Sequence, residues 1–257
     1  SYIAHETVNN SSFTLRVPMF NQSFTTQSSK TVKSAVVSVV GLGFFRLWLN
    51  HQDVFQAQSP PLAQLPGWTN TEARVPYVAL DVTSWLNTTG TANSMLVVLG
   101  EGYRNETAYT PRDGRSKSDH IDCVLKLQLV ITYSDGSNQT VVTDDSWQTG
   151  LTATITSSIY NGEAFDENLD EIGSHHWQNV LLLSENQGPP GILYNSVQPY
   201  VSVMGVSKAQ NIYATQDRSS QIVDFGTNSA GLVRINVTGL DAGEPRTAWY
   251  FVQQCAA

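Results

Sequence analysis

Short runs of β-branched and aromatic residues recur along the chain, each broken after a few positions by Gly, Pro, Asn, Asp or Ser. Such runs predict strands joined by turns. Thr31–Val40 reads TVKSAVVSVV, and Phe44–Asn50 reads FFRLWLN with Phe45, Leu47 and Leu49 on one face. Ser94–Gly100 (SMLVVLG) reads as a buried strand. The clearest pattern is Cys123–Tyr133, where Cys123, Leu125, Leu127, Leu129 and Ile131 alternate with Val124, Lys126, Gln128 and Val130. Period-two alternation puts the two sets on opposite faces of a strand. Ser134-Asp135-Gly136-Ser137 then turns the chain into Gln139–Thr143, a hairpin signal. Further strands are predicted at Thr152–Ile159 and Asn179–Ser184. Only Asp81–Leu86 (DVTSWL) reads as a helical turn, opened by an Asp or Thr cap.

This pattern predicts an all-β protein built as sandwiches or a barrel. The stretch Ser184–Ile192 (SENQGPPGI) cannot continue a central strand and marks a boundary. A new strand series follows it, at Val197–Val206, Ser220–Phe225, Gly231–Val237 and Thr247–Val252. That is room for a small second sandwich, complete or cut short. The reading therefore divides the chain into an N-terminal arm (1–15), a jelly-roll-like β-sandwich (16–186) and a small second β-sandwich (187–257). The arm begins SYIAHETVNNSS, polar with scattered Ile and Val. It reads as a disordered tail, or as an arm that adds a strand to another copy. Head-to-tail addition of that kind would build a filament, and a second sandwich cut short would offer an open edge.

Composition narrows the setting. The 257 residues are 40% hydrophobic, enough for a core, but only 14% charged. A surface of Ser, Thr, Asn and Gln suits an extracellular protein. The net charge of −8 argues against a nucleic-acid surface or an anionic-membrane surface, since both need clustered Lys and Arg. No apolar run approaches the ~20 residues that span a bilayer. SYIAHETVNN is not a signal peptide, so secretion implies that Ser1 follows a removed one. Asn-x-Ser/Thr sequons stand at Asn9, Asn10, Asn21, Asn87, Asn105, Asn138 and Asn236, those at Asn9 and Asn10 overlapping. They predict a secreted glycoprotein. The two cysteines, Cys123 and Cys255, read as one disulfide or as two buried thiols.

Eight segments, in order, resemble the N-terminal, non-catalytic region of α-L-rhamnosidases: Val32–Asn50, LPGWT (Leu65–Thr69), VALDVTSWL (Val78–Leu86), VVLGEGY (Val97–Tyr103), LQLVITYSDGS (Leu127–Ser137), TDDSW (Thr143–Trp147), IYNGEAFD (Ile159–Asp166) and VDFGTNSAGLVRINVTG (Val223–Gly239). The resemblance runs from about Arg16 to Phe251. It implies two β-sandwich domains that precede a helical barrel carrying the glycosidase carboxylates. The chain stops at Ala257 with no barrel, which predicts a protein that is not an enzyme. The resemblance also implies that the first sandwich is a rhamnose-binding module using calcium. By position its ligand would meet Trp68, Thr69 and Asn70, with Tyr103, Arg112 and Asp113 further on. Two departures stand in these loops: Gly102 is followed by Tyr103, Arg104 and the sequon residue Asn105, and the family's arginine after Asp166 is Asn168 here.

A sugar site wants an aromatic face against C–H edges and polar side chains reaching hydroxyls. Trp68 supplies the first, or else caps the sandwich core. Asn70, Glu72 and Arg74 supply the second. In the polar insertion Arg104–Asp119, Asp113 and Asp119 are candidate calcium ligands, or part of a solvated loop. Glu163, Asp166, Glu167, Asp170 and Glu171 read as a solvated acidic turn. His175 and His176 fall on opposite faces of an extended chain and do not make a joint metal site. Three functions survive: a secreted lectin-like protein that binds glycans without catalysis, a structural glycoprotein that self-assembles through its N-terminal arm, and an accessory fragment of a rhamnosidase.

Overall fold

The computed structural model describes residues 1–5, 16–64, 69–88, 90–100, 102, 123–158, 162–166, 168–169, 177–184, 187–228 and 231. In chain order the strands are β1 (Tyr2–Ala4), β2 (Pro18–Thr25), β3 (Val32–Leu42), β4 (Phe44–Leu49), β5 (Gln52–Asp53), β6 (Leu62–Gln64), β7 (Arg74–Asp81), β8 (Ala92–Gly100), β9 (Val124–Tyr133) and β10 (Asn138–Val142). They continue with β11 (Gln148–Leu151), β12 (Thr154–Ser158), β13 (Gly162–Phe165), β14 (Gln178–Asn179), β15 (Leu181–Leu183), β16 (Ile192–Asn195), β17 (Val201–Ser202), β18 (Asn211–Ala214) and β19 (Gln221–Asp224). The chain divides into two compact units, Ser1–Val203 and Met204–Ala257.

The first unit is a sandwich. One sheet has the order β15-β1-β9-β3-β7-β16, with β10 also on β9; the facing sheet runs β14-β11-β2-β8-β4-β5. The ladder between β3 and β9 shows how the pattern becomes a core. Leu125, Leu127, Leu129 and Ile131 point inward from β9, and Ala35, Val37 and Val39 from β3. They meet Met95, Val97 and Leu99 of β8 and Phe45, Leu47 and Leu49 of β4. Trp147 is fully buried, its indole N–H satisfied by the Val142 carbonyl at 2.9 Å. Tyr133 is buried as well. Its hydroxyl accepts from the Gln27 amide (2.9 Å) and donates to Gln139 (2.5 Å), so neither ring leaves its polar atom stranded in the core. At one end the long sheet is apolar on its outer face too, with Ala4, Val40, Leu42, Val75, Val124 and Leu183 clustered there.

The predicted hairpin forms between β9 and β10. Gly136 takes φ +85°, a left-handed value open to glycine, while Asp135 accepts from the Ser137 amide (2.9 Å) and hydroxyl (2.6 Å). Lys30 reaches the same carboxylate at 3.0 Å. These contacts hold the Asp135 carboxyl down at about 2, the Ser137 hydroxyl contributing most. The predicted helical turn is a single 3-10 turn, Thr83–Trp85. Asp81 does not cap it in the expected way. Its carboxylate instead accepts from the Thr83 amide (2.9 Å) and hydroxyl (2.6 Å), an Asx-turn that lowers the Asp81 pKa.

Three expectations need correction. The first residues are not a free tail, because Tyr2–Ala4 lies inside this chain's own sheet between β15 and β9, with Ile3 and Ala4 fully buried. The Pro/Gly-rich stretch does not end the first unit. Beyond it, β16 pairs with β7 and β17 with β6, and the division falls after Val203. Of the strand expected over Val197–Val206, only Val201–Ser202 is extended and paired. In the second unit, the described strands are one hairpin, β18 against β19. The strands expected at 232–237 and 247–252 lie outside the described residues.

Candidate functional site

The turn that leads into β7 is built by Asn70. Its carbonyl accepts from the amides of Ala73 and Arg74, both at 3.0 Å, and its side-chain oxygen accepts from the Glu72 amide at 3.1 Å. An asparagine closing a turn on its own downstream backbone is a common device. β16 then joins β7 in parallel, Ile192 opposite Arg74 and Tyr194 opposite Pro76. Pro76 offers no amide, and it lies outside the β3–β7 ladder, which runs from Val78 to Asp81. The junction is tight at Gly191, whose amide donates to the Thr71 carbonyl at 3.0 Å. A Cβ at Gly191 would fall 2.5 Å from the Thr71 carbonyl oxygen and 2.6 Å from the Arg74 nitrogen.

Between this turn and the segment after β16 lies a cleft of about 310 Å³, lined by Thr69, Asn70, Ala73, Arg74, Tyr194 and Gln198. The Arg74 guanidinium lies over the Tyr194 ring, 5.6 Å from its centroid. The segment carrying Gln198 is tied down on both sides. The Ser196 amide donates to Tyr77 (2.9 Å), the Val203 amide to Pro61 (2.7 Å), and Tyr200 packs on the core, where burial raises its phenol pKa. The cleft thus combines an aromatic ring, an exposed guanidinium beside it, a hydroxyl and two carboxamides. Its volume sits at the small end of ligand pockets.

Of the residues singled out from the sequence, the structure brings Thr69, Asn70 and Arg74 together; Glu72 is exposed on the same turn but does not line the cleft. Trp68, Tyr103, Arg112, Asp113 and Asp119 lie outside the described residues. Tyr194 and Gln198 were missed, because they sit past the Pro/Gly-rich stretch and reach the site only through the β7–β16 pairing. The short apolar run Ile192-Leu193-Tyr194 directly after Gly191 was the available signal.

Calcium takes six to eight oxygens, several from carboxylates. The described lining residues hold no carboxylate, the Asn70 side-chain oxygen is already engaged by Glu72, and no metal-holding group of His, Cys, Asp or Glu occurs among the described residues. These residues do not fit a calcium ion. Asp166, from the acidic cluster, spends its carboxylate on Asn168 at 2.9 and 3.0 Å.

Among the sequons, Asn87 and Asn138 are exposed and Asn21 is half-buried on β2, whereas Asn9, Asn10, Asn105 and Asn236 lie outside the described residues. Cys123 is half-buried, and Cys255 lies outside the described residues. Among the described residues no helix is long and apolar enough to cross a membrane.

Residues 30–188 match the family described as the Alpha-L-rhamnosidase N-terminal domain. An alpha-L-rhamnosidase of Formosa agariphila is 26% identical over 219 residues, which is 82% of this chain and 22% of that protein. One from an Alteromonas species is 28% identical over 217 residues, 81% of this chain and 22% of the relative. The chain thus spans about a fifth of the length of these relatives. Among solved structures, the alpha-L-rhamnosidase of Aspergillus terreus superposes with a TM-score of 0.69 at 26% identity, covering 88% of this chain and 26% of its own. That of Dictyoglumus thermophilum gives 0.69 at 25% identity, over 88% and 25%. The chain belongs to the α-L-rhamnosidase N-terminal domain family.

Proposed function

We propose that this member of the α-L-rhamnosidase N-terminal domain family is a secreted, non-catalytic module that binds a single sugar ring, L-rhamnose or a glycan ending in it. The observation that carries the reading is the cleft between the Asn70 turn and Tyr194, with Arg74 stacked on the ring. A tyrosine face offers apolar contact to sugar C–H edges, and carboxamides such as those of Asn70 and Gln198 can donate to and accept from sugar hydroxyls. Glycoside hydrolysis needs two carboxylates across the bond. The described lining residues of the cleft supply none. The family's name and the sugar it implies point to rhamnose as the first ligand to try. A second reading, an accessory part of a longer rhamnosidase, is favoured by the coverage: four-fifths of this chain against one-fifth of its relatives. The two readings share the cleft and differ only in what the module serves.

As part of the same proposal, the exposed Asn87 and Asn138, with Asn21, carry N-linked glycans, and Cys123 pairs with Cys255. Intact-mass measurement before and after deglycosylation and reduction checks both. The binding reading is tested by calorimetry with L-rhamnose, with and without added calcium. Tyr194→Ala and Asn70→Ala should each weaken binding about tenfold, some 1.4 kcal/mol. Unchanged affinity in both variants, or no saturable binding of L-rhamnose up to roughly 10 mM, where only weak affinities remain undetected, would sink it.

A further inference from the structure

The first strand is joined to the rest of the sandwich in an unusual way. β1 has three residues, and it is an inner strand rather than an edge. Its backbone pairs with β15 on one side, Tyr2 to Leu183 and Ala4 to Leu181, and with β9 on the other, Ile3 to Leu125 and Ala4 to Val124. Among the described residues β15 reaches the sheet only through β1. Removing β1 would leave a slot one strand wide, roughly 10 Å between flanking strands at the usual sheet spacing. The slot would be walled by two unpaired edges and floored by the apolar pockets that Ile3 and Ala4 now fill.

The slot is also built to grip both ends of its occupant. The Thr143 hydroxyl donates to the Ser1 carbonyl at 2.6 Å, and the Ser1 ammonium reaches the Thr143 carbonyl at 3.3 Å. His5 meets the Thr149 hydroxyl at 3.1 Å, and that hydroxyl is itself buried and bonded to the Met19 carbonyl. Lys126 lies 4.8 Å from the Tyr2 ring centroid. The Tyr2 ring packs so close to Gly188 that a Cβ there would meet it at 2.8 Å. Every one of these contacts is made by residues 1–5. The next sheet residue is Pro18, and thirteen intervening residues span roughly 45 Å when extended.

We infer that Tyr2–Ala4 is a transferable strand, and that the slot between β9 and β15 receives it from a second copy of this chain. The contacts made in trans are the same as those made in cis, so exchange sacrifices no native pairing and is a low-cost route to assembly. Reciprocal exchange closes a two-fold dimer; one-way donation runs from copy to copy into a filament. The inference is independent of the sugar reading, since the cleft at Tyr194 uses none of these residues.

Two chains co-expressed in a Cys123→Ser, Cys255→Ser background test it, one carrying Ala4→Cys and the other Leu181→Cys. These positions are directly opposed in the β1–β15 register, so the native bond between the two chains can form only if the strand has crossed. A covalent heterodimer on a denaturing, non-reducing gel is expected. Monomers alone overturn the proposal. Because the cysteine background could itself fail to fold, light scattering on the unaltered full chain and on one lacking residues 1–5 is the second measurement. The full chain should be at least dimeric and the shortened chain monomeric; equal size for both overturns the proposal equally.

Discussion

In the β3–β9 ladder, alternate side chains go from solvent to complete burial, whereas in the β18–β19 hairpin they do not. Ile212 opposite Val223 and Tyr213 opposite Ile222 give that hairpin an apolar pair on each face, yet all four side chains are exposed. Met204 and Val206 ahead of it stand 88% and 90% exposed. The local pattern is similar in both regions. What differs among the described residues is the second layer: β9 faces β2, β8 and β4 across the core, whereas β18 and β19 pair only with each other, and a two-stranded ribbon alone is marginal in water. Alternation therefore encodes extended chain, while burial is settled by whether another sheet stacks on it.

The largest test of that contrast is a pair of truncations read by urea denaturation. Trp147→Ala should destabilise the first unit by about 3–5 kcal/mol, through loss of a fully buried ring. Ile212→Ala should change stability by no more than about 0.5 kcal/mol, as an exposed substitution does. Comparable losses would mean that the hairpin has a buried face after all. Gly191→Ala sharpens the boundary between the regions. A methyl 2.5 Å from the Thr71 carbonyl should cost about 1–3 kcal/mol of first-unit stability and weaken sugar binding with it. A neutral Gly191→Ala would return the boundary to the Pro/Gly-rich stretch that contains it.

The smallest effect compares two turn carboxylates, one in each region. Asp135 and Asp217 are each held at about 2, Asp135 chiefly by the Ser137 hydroxyl and Asp217 by the hydroxyls of Thr215 and Ser219. A carboxyl whose folded pKa lies below its unfolded value of 3.8 stabilises the fold above pH 3.8, and that contribution disappears as pH falls through about 2. Asp135→Asn should lower the first-unit midpoint at pH 7, and the gap to the unaltered chain should close between pH 4 and 2. Asp217→Asn should leave that midpoint in place and speed hydrogen exchange at the Ser219 amide, which Asp217 holds at 3.1 Å.

Much of the sandwich was legible in the sequence, since β3, β4, β8 and β9 carry enough alternating positions for the period to show, and Asp135-Gly136 marks its own turn. β1 was hidden, because Tyr-Ile-Ala is too short to display a period and sits beside a polar run. β16 was hidden for a different reason. Gly-Pro-Pro-Gly is a fair mark of a chain break, but here it serves as an elbow that returns the chain to β7. The lining of the candidate cleft was legible only in part for the same cause: Thr69, Asn70 and Arg74 stand in one short segment, while Tyr194 joins them through a long-range parallel pairing.

The position of β1 also sets a timetable for biosynthesis. Its partner β15 ends at Leu183, so β1 cannot be paired on both sides until most of the first unit has been made. At ordinary translation speeds that is a delay of roughly ten to forty seconds. Through that interval Tyr2, Ile3 and Ala4 wait without the β15 ladder that flanks them in the finished sheet.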